Sequence, residues 1–377
     1  MDTTEGQTMR ERMIGCGTRM LAVCAVAAMA GCAGGPRAQP TQARAGGQSA
    51  GQHAGPNAGQ TAPSTAAPTP TLSKSKTREL AISVIEQASK SADPQVRANA
   101  VEAAGYSATR LRDVVAQGLT DTSPAVRSVA AMTVARAGLN DLADGVYPLL
   151  GDAEPHVRAS AILALVRTGR DVDRSPLAPM LLEESSPWVR RHAAWVLGEI
   201  RDSSALPLLR SAAVDPLPSA TRAQAKLFQL HVAEAMAKLG DAKARQSLRG
   251  ALYPSQPEEL EAVAVAVGMI AQFKDRESYE QVAPLAKYKD RDGNPYPAEI
   301  RLAVAAALAS LGDPSLARAA DPFAASASPA QRAQAAFVYA DAGDPDSASR
   351  LGVLLQDAEE AVRVAAAGAV LRTGGRH

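Results

Sequence analysis

Past residue 72 the apolar residues fall at helical spacing and keep doing so to the end of the chain. After Arg127, the positions Ala130, Ala131, Val134 and Gly138 stand three, four, seven and eleven residues on. After Arg301 the same offsets give Val304, Ala305, Leu308 and Gly312. This is one apolar stripe of an α-helix. Proline just before the arginine suits a first helical turn, where its missing N–H costs nothing, and glycine eleven residues on suits a left-handed C-cap. A second apolar run precedes these helices and contains a proline, as in Tyr147-Pro-Leu-Leu150, Ala178-Pro-Met-Leu-Leu182, Leu206-Pro-Leu-Leu209 and Val282-Ala-Pro-Leu285. Proline inside a helix removes a hydrogen bond and bends it.

The helical pair recurs. Asp121-Thr-Ser-Pro-Ala-Val-Arg127, Asp152-Ala-Glu-Pro-His-Val-Arg158, Ser185-Ser-Pro-Trp-Val-Arg190 and Asp357-Ala-Glu-Glu-Ala-Val-Arg363 are versions of one motif. Arg97, Arg127, Arg158 and Arg190 are 30, 31 and 32 residues apart, and Arg301, Arg332 and Arg363 are 31 apart. A period near 31 with two helices per unit predicts stacked hairpins, in which only neighbouring units share buried surface. The pattern Asp-x-x-Pro-x-Val-Arg-x-x-Ala-Ala-x-Ala-Leu-x-x-x-Gly resembles HEAT repeats, specifically the short HEAT-like repeats of phycobilin lyases. The resemblance spans roughly 77–377 and implies an all-α fold. That fold is an α-solenoid of about nine hairpins over 73–377, with the Val-Arg helices on its concave side.

An arginine in a first helical turn faces the unfavourable end of the helix dipole. The acid six residues earlier is expected to compensate: Asp121 for Arg127, Asp152 for Arg158, Glu184 for Arg190 and Asp357 for Arg363. With Arg97, Arg301 and Arg332 these residues would form a structural ladder along the hairpin loops. The alternative, a row of arginines reading phosphates, is the weaker reading because the arginines travel with acids.

The pattern breaks between Asp215 and Glu299. The helix near 219–239 reads as about two turns longer than its siblings, and Leu260 stands where an arginine is expected. A polar loop, 287–297, follows. Insertions in solenoids lie on one face and often mark binding. The central concave surface and the loop residues Asp290, Asp292, Asn294 and Tyr296 are therefore candidate partner contacts, with an idle insertion as the alternative. Counted as an EF-hand from Asp290, the loop has glycine at position 4 and Arg301 at position 12. Calcium needs glycine at 6 and a carboxylate at 12, so a hydrophilic turn is expected.

The N-terminal part of the chain reads as an address. Arg10, Arg12 and Arg19 precede the ten-residue apolar run Met20–Met29. As a helix that run spans about 15 Å, half a bilayer core, so it reads as a secretory signal rather than an anchor. Met29-Ala-Gly-Cys32 resembles the lipobox of bacterial lipoproteins, although Met29 departs from the usual leucine. The resemblance implies a signal peptide over 1–31, acyl chains such as palmitate on Cys32, and a membrane-anchored protein facing the periplasm. The outer membrane is the expected side, because Ala33 is not the aspartate that retains such proteins in the inner membrane. A soluble exported form and an uncleaved segment remain open, as does a start at Met9 or Met13. Residues 32–72, rich in Gly, Ala, Pro and Gln, read as a disordered tether reaching roughly 35 Å.

Composition then narrows the chemistry. The net charge is +1, and five basic and three acidic residues lie before residue 73, leaving the array at −1. Such a balance disfavours nucleic acid as a partner. Aromatics make up 3 %, too few for a stacking platform. Cys16, Cys24 and Cys32 are the only cysteines, so the array has no disulfide, thiolate metal site or cysteine nucleophile. His156, His192 and His231 fall in different repeats with no paired-ligand spacing, and no GxSxG or phosphate loop occurs. The His-Glu motifs through which HEAT-like deoxyhypusine hydroxylases bind iron are missing, as is the basic, aromatic concave face of the HEAT-like alkylpurine glycosylases. No cofactor or metal is expected. The sequence points to a non-catalytic, lipid-anchored scaffold with a protein or peptide partner in the solenoid groove. The alternative is a lyase- or enzyme-like HEAT protein using the concave face as a substrate cleft.

Overall fold

A computed structural model describes residues 73–374 apart from Pro216, Ser219, Asp290 and Arg291. The expected signal peptide 1–31, the lipidation residue Cys32 and the tether 32–72 lie outside the described residues, as does Asp290. Nine hairpins follow one another, each with an outer and then an inner helix. They are α1 (Lys74–Ala88) with α2 (Pro94–Ala104), α3 (Ala108–Gly118) with α4 (Pro124–Ala137), and α5 (Ala143–Val146) with α6 (Pro155–Arg167). Next come α7 (Leu177–Leu182) with α8 (Pro187–Ile200), α9 (Leu206–Val214) with α10 (Arg222–Lys238), and α11 (Ala242–Gly250) with α12 (Leu260–Gln272). The last three are α13 (Tyr279–Val282) with α14 (Ala298–Leu311), α15 (Asp321–Ala324) with α16 (Pro329–Ala342), and α17 (Ser347–Leu354) with α18 (Glu360–Gly374). Among the described residues there is no strand, only an isolated antiparallel bridge between Lys289 and Pro295. No described helix is long and apolar enough to cross a membrane.

Local sequence sets the helix ends. Pro94, Pro124, Pro155, Pro187 and Pro329 each open an inner helix behind an extended cap residue. Gly138 and Gly343 end α4 and α16 in the left-handed conformation, φ 64° and 60°, where a Cβ is costly. Arg201 adopts the same conformation after α8, φ 61°. Proline shortens two outer helices: α5 and α13 are four residues long and pass into 3-10 turns at Tyr147–Gly151 and Ala283–Lys287, which hold Pro148 and Pro284. The length expected for α10 is corrected. Thr221 and Gln224 form a capping box that starts the helix at Arg222, so its 17 residues exceed the 14 of α8 by about one turn rather than two.

Each inner helix packs on the inner helices before and after it, and α18 packs on α16, on α2 and along α1. The solenoid therefore closes into a ring, and the first and last units, which an open stack would leave as ends, are neighbours. The packing residues show why. Buried Ala81, Ile82 and Ile85 of α1 and Ala100 and Ala104 of α2 share one apolar cluster with Val364, Ala367 and Leu371 of α18. Gly368 lets α18 approach α2, since a Cβ there would stand 3.1 Å from the Ala103 Cβ. Gly198 does the same between α8 and α10, where an added Cβ would lie 2.7 Å from the Ala235 Cα. A second apolar cluster, with Leu230, Val263, Ile270 and Leu308, fills units five to seven.

Candidate functional site

The ladder residues join units. Arg127 donates through Nε and Nη2 to the Asp152 carboxylate of the next unit, at 2.7 and 3.0 Å. Its Nη1 donates to the carbonyl of Asp121, at 2.9 Å. Arg97 binds Asp121 at 2.8 and 2.8 Å, Arg332 binds Asp357 at 2.7 and 2.8 Å, and Arg190 reaches Asp215. Asp121, Asp152 and Asp357 thus offer their own arginines a carbonyl, not the expected carboxylate, and where Glu184 was expected to serve Arg190 the arginine donates to the Leu181 carbonyl at 2.7 Å. The aspartate carboxylate is turned to close the short turn before the next helix: Asp121 Oδ1 accepts from the Ser123 N–H at 2.8 Å, and Asp152 Oδ1 from Glu154 at 3.0 Å. From there it faces the preceding unit. Arg158 and Arg363 keep only the carbonyl bonds, and Arg301 lies 5.0 Å over the Phe323 ring. Burial works to raise the Asp121 and Asp152 carboxyls, but the guanidinium forks and turn N–H groups outweigh it and hold both below the usual range.

A second stripe of the inner helices lines the ring's interior. Glu102, Met132, Leu163 and Trp195 stand five residues after Arg97, Arg127, Arg158 and Arg190, and Arg136, Arg167 and Glu199 stand nine after the last three. With Val129, Thr133 and Ala135 they line a cavity of about 130 Å³, which Gln272 of α12 completes from a unit that adjoins none of theirs. Arg136 donates to the Glu102 carbonyl at 2.8 Å and lies 3.4 Å from its carboxylate. Burial pushes the Glu102 carboxyl up to about 7, against the pull of Arg136 and Arg372. Arg372 pairs with Asp341 at 3.1 Å. Buried Lys238 holds Glu199 at 2.6 Å and Glu234 at 2.5 Å, and lies 5.8 Å from the Trp195 ring. Burial lowers the Lys238 ammonium, but its two carboxylates outweigh that and hold it above the usual lysine range. The offsets three, four, seven and eleven used to find the helices pass over this stripe. Its signal was charged residues at one register of successive inner helices.

The buried histidines form a packing seam beside the cavity. His156 meets Trp188 edge-on at 4.5 Å, Trp188 stacks on His192 at 5.7 Å, and His192 stacks on Trp195 at 5.8 Å. Ser160 Oγ lies 2.8 Å from Ser128 Oγ and 2.9 Å from His192 Nε2, linking three inner helices. A serine at this distance from a histidine has the geometry of a nucleophile and base. Here Ser160 is fully buried and also donates to the His156 carbonyl at 3.0 Å, so the pair serves packing. Burial pushes His156 down to about 3, and it stays neutral. Among the described residues, no three His, Cys, Asp or Glu side chains are grouped to hold a metal ion.

The irregular units share one edge of the ring, where outer helices lead into inner ones. Thr221 is the N-cap of α10, so Ala225 stands where Arg127 stands in α4, and Leu260 does so in α12. The ladder is interrupted there. On the same edge Val214, Tyr253 and Tyr288 are 84, 65 and 44 % exposed. In the 287–297 loop, Tyr296 is only 7 % exposed and stacks on Tyr288 at 4.2 Å, because the loop folds it back into the second apolar cluster. Tyr288 therefore offers the outward ring that was expected of Tyr296. Asp292 and Asn294 lie in the loop, and each has an interaction partner.

The HEAT-repeat family model matches residues 82–166, 113–185, 143–227 and 174–267 in overlapping windows. With the nine hairpins, this makes the chain a HEAT-repeat protein. Similar solved structures include the CpcE–CpcF complex of phycocyanin lyase from a Nostoc species, 18 % identical over 68 % of this chain and 94 % of that one, with a TM-score of 0.40. Human deoxyhypusine hydroxylase in complex with glycerol is 16 % identical over 80 % of this chain and 98 % of its own, TM-score 0.35. An engineered protein is 18 % identical over 80 % and 95 %, TM-score 0.30. Among curated proteins, none matches the sequence.

Proposed function

We propose that this HEAT-repeat protein is a non-catalytic scaffold that holds a protein or peptide partner on the ring edge of units five to seven. Acyl chains on Cys32 would tether it to a membrane facing the periplasm. The reading rests on the exposure of Val214, Tyr253 and Tyr288 from three consecutive units along the edge that lacks the ladder. Exposed tyrosines offer rigid, amphipathic contact area of the kind that anchors protein interfaces. The interior cavity of about 130 Å³ is too small for an extended chain, so in this reading the edge takes the role that the groove had in the sequence reading.

A photocrosslinking residue placed at Val214 or Tyr253 in living cells tests this, with exposed Gln117 of α3 as the control position. One shared polypeptide adduct from the first two positions, absent from the third, is expected. The same adducts from all three positions, or none from any, would overturn the scaffold reading. The tether is tested separately: Cys32→Ser should release the protein from the membrane fraction, and unchanged sedimentation with membranes would exclude it.

A further inference from the structure

We propose that the interior of the ring binds a small organic monocarboxylate with an apolar body, its carboxylate on Arg167 and its apolar part against Met132, Leu163 and Trp195. This goes beyond the scaffold reading and uses a different surface. Four charged side chains line the cavity. Three have counter-ions: Arg136 and Glu102 have each other, and Glu199 has Lys238. Arg167 has no ion pair among the described residues, and it is exposed where the cavity opens. A guanidinium is a planar fork of donors that matches a carboxylate in a two-bond pairing. One uncompensated positive charge calls for a single negative one, and a dianion would bring a second charge to a lining with no further unpaired cation among the described residues.

The rest of the lining specifies the body of the ligand. Val129, Met132, Leu163 and Trp195 form an apolar wall beside the arginine, all buried and all facing the cavity. Thr133 lies in the same wall, fully buried, with its Oγ1 lacking any hydrogen-bond partner. A threonine within a helix ordinarily bonds its hydroxyl to a carbonyl one turn back, and an unmet buried hydroxyl costs about 1–3 kcal/mol. That oxygen is sealed from the cavity, so it adds to the cost of folding and not to the recognition of a guest. The volume of about 130 Å³ accommodates several waters, at about 30 Å³ each, or one molecule of a few carbon atoms.

The full chain can be titrated with hexanoate while tryptophan emission is followed. Trp188 and Trp195 are the only tryptophans, and Trp195 lines the cavity. A saturable change is expected for hexanoate, at least tenfold weaker for 1-hexanol. Arg167→Gln should weaken hexanoate binding at least tenfold with an unchanged thermal melt, because the side chain is exposed and unpaired. Thr133→Val, which keeps the shape of the wall, should raise the melting temperature and leave hexanoate binding unchanged. Three results would each overturn the proposal: no saturable response to hexanoate, equal affinity for 1-hexanol, or undiminished binding by Arg167→Gln.

Discussion

Replacing Glu102 by Gln should make the ring more stable at neutral pH and change it little in mild acid. Burial pushes the Glu102 carboxyl from 4.5 up to about 7, although Arg136 and Arg372 pull the other way. Between those values the folded protein keeps a proton that the unfolded chain has released. Stability therefore falls as pH rises through that window. The rise of roughly 2.5 pH units, at about 1.4 kcal/mol for each, sets an upper bound of about 3.5 kcal/mol lost by pH 8. Glutamine has no proton to give up. The better of the two Arg136 contacts, 2.8 Å to the backbone carbonyl of residue 102, survives the exchange. His156 acts with the opposite sign: burial pushes it down from 6.5 to about 3, so its contribution grows as pH rises toward 6.5. Either protein alone mixes these effects, and the difference between the two isolates Glu102. Urea unfolding followed by circular dichroism between about pH 4.5 and 8 measures it. The advantage of the Gln protein should grow by up to about 3.5 kcal/mol across that range. A difference that stays constant with pH would refute the reasoning.

Arg127→Met leaves the Asp152 carboxylate, 6 % exposed, without its fork, and should cost about 3 kcal/mol in thermal or urea unfolding. Arg112→Met removes an ion pair to Asp141 whose arginine is 42 % exposed, and should cost less than about 1 kcal/mol in the same assay. Arg201→Gly relieves a left-handed arginine at the place where α4 and α16 use glycine, and should stabilise by up to about 1 kcal/mol. Gly368→Phe forces α18 away from α2. X-ray scattering should then show a larger radius of gyration at unchanged helix content, and an unaltered profile would contradict ring closure.

What was legible in the sequence is what local chemistry decides. Pro94, Pro124 and Pro155 mark helix starts because a first turn needs no N–H there, and Gly138 and Gly343 mark ends because the left-handed conformation disfavours a Cβ. The 31-residue period follows from those signals. The partner of each ladder arginine was not legible, because Asp121 serves two groups at once and its turn bond to Ser123 decides which way its carboxylate faces. The interior stripe was missed because it mixes Glu102, Met132, Leu163 and Arg167, and a search for apolar periodicity discards such a mixture. Closure was hidden for a different reason. The small rotation between one hairpin and the next is set by side chains such as Gly198 against Ala235, and only its sum over nine units brings α18 to α2.

The joint that completes the ring differs chemically from those bridged by Arg97, Arg127, Arg190 and Arg332. Ser91 stands six residues before Arg97, the place that Asp121 holds before Arg127. It even accepts the equivalent turn bond, from the Asp93 N–H at 3.3 Å. With serine there, no carboxylate faces Arg363 across the seam. That arginine keeps bonds of 2.8 and 2.8 Å to the carbonyls of Asp357 and Ala358. In place of a rung, Ser91 donates to Glu360 at 2.8 Å, and apolar packing between α18 and the first hairpin does the rest. Apolar packing suffices because the eight preceding interfaces already hold the two ends near each other, so the seam has little chain entropy left to overcome. Screening by salt weakens exposed charge pairing but leaves apolar burial intact. The forks of Arg97, Arg127 and Arg332 end on carboxylates only 15, 6 and 11 % exposed, so salt should weaken those joints little more than the seam.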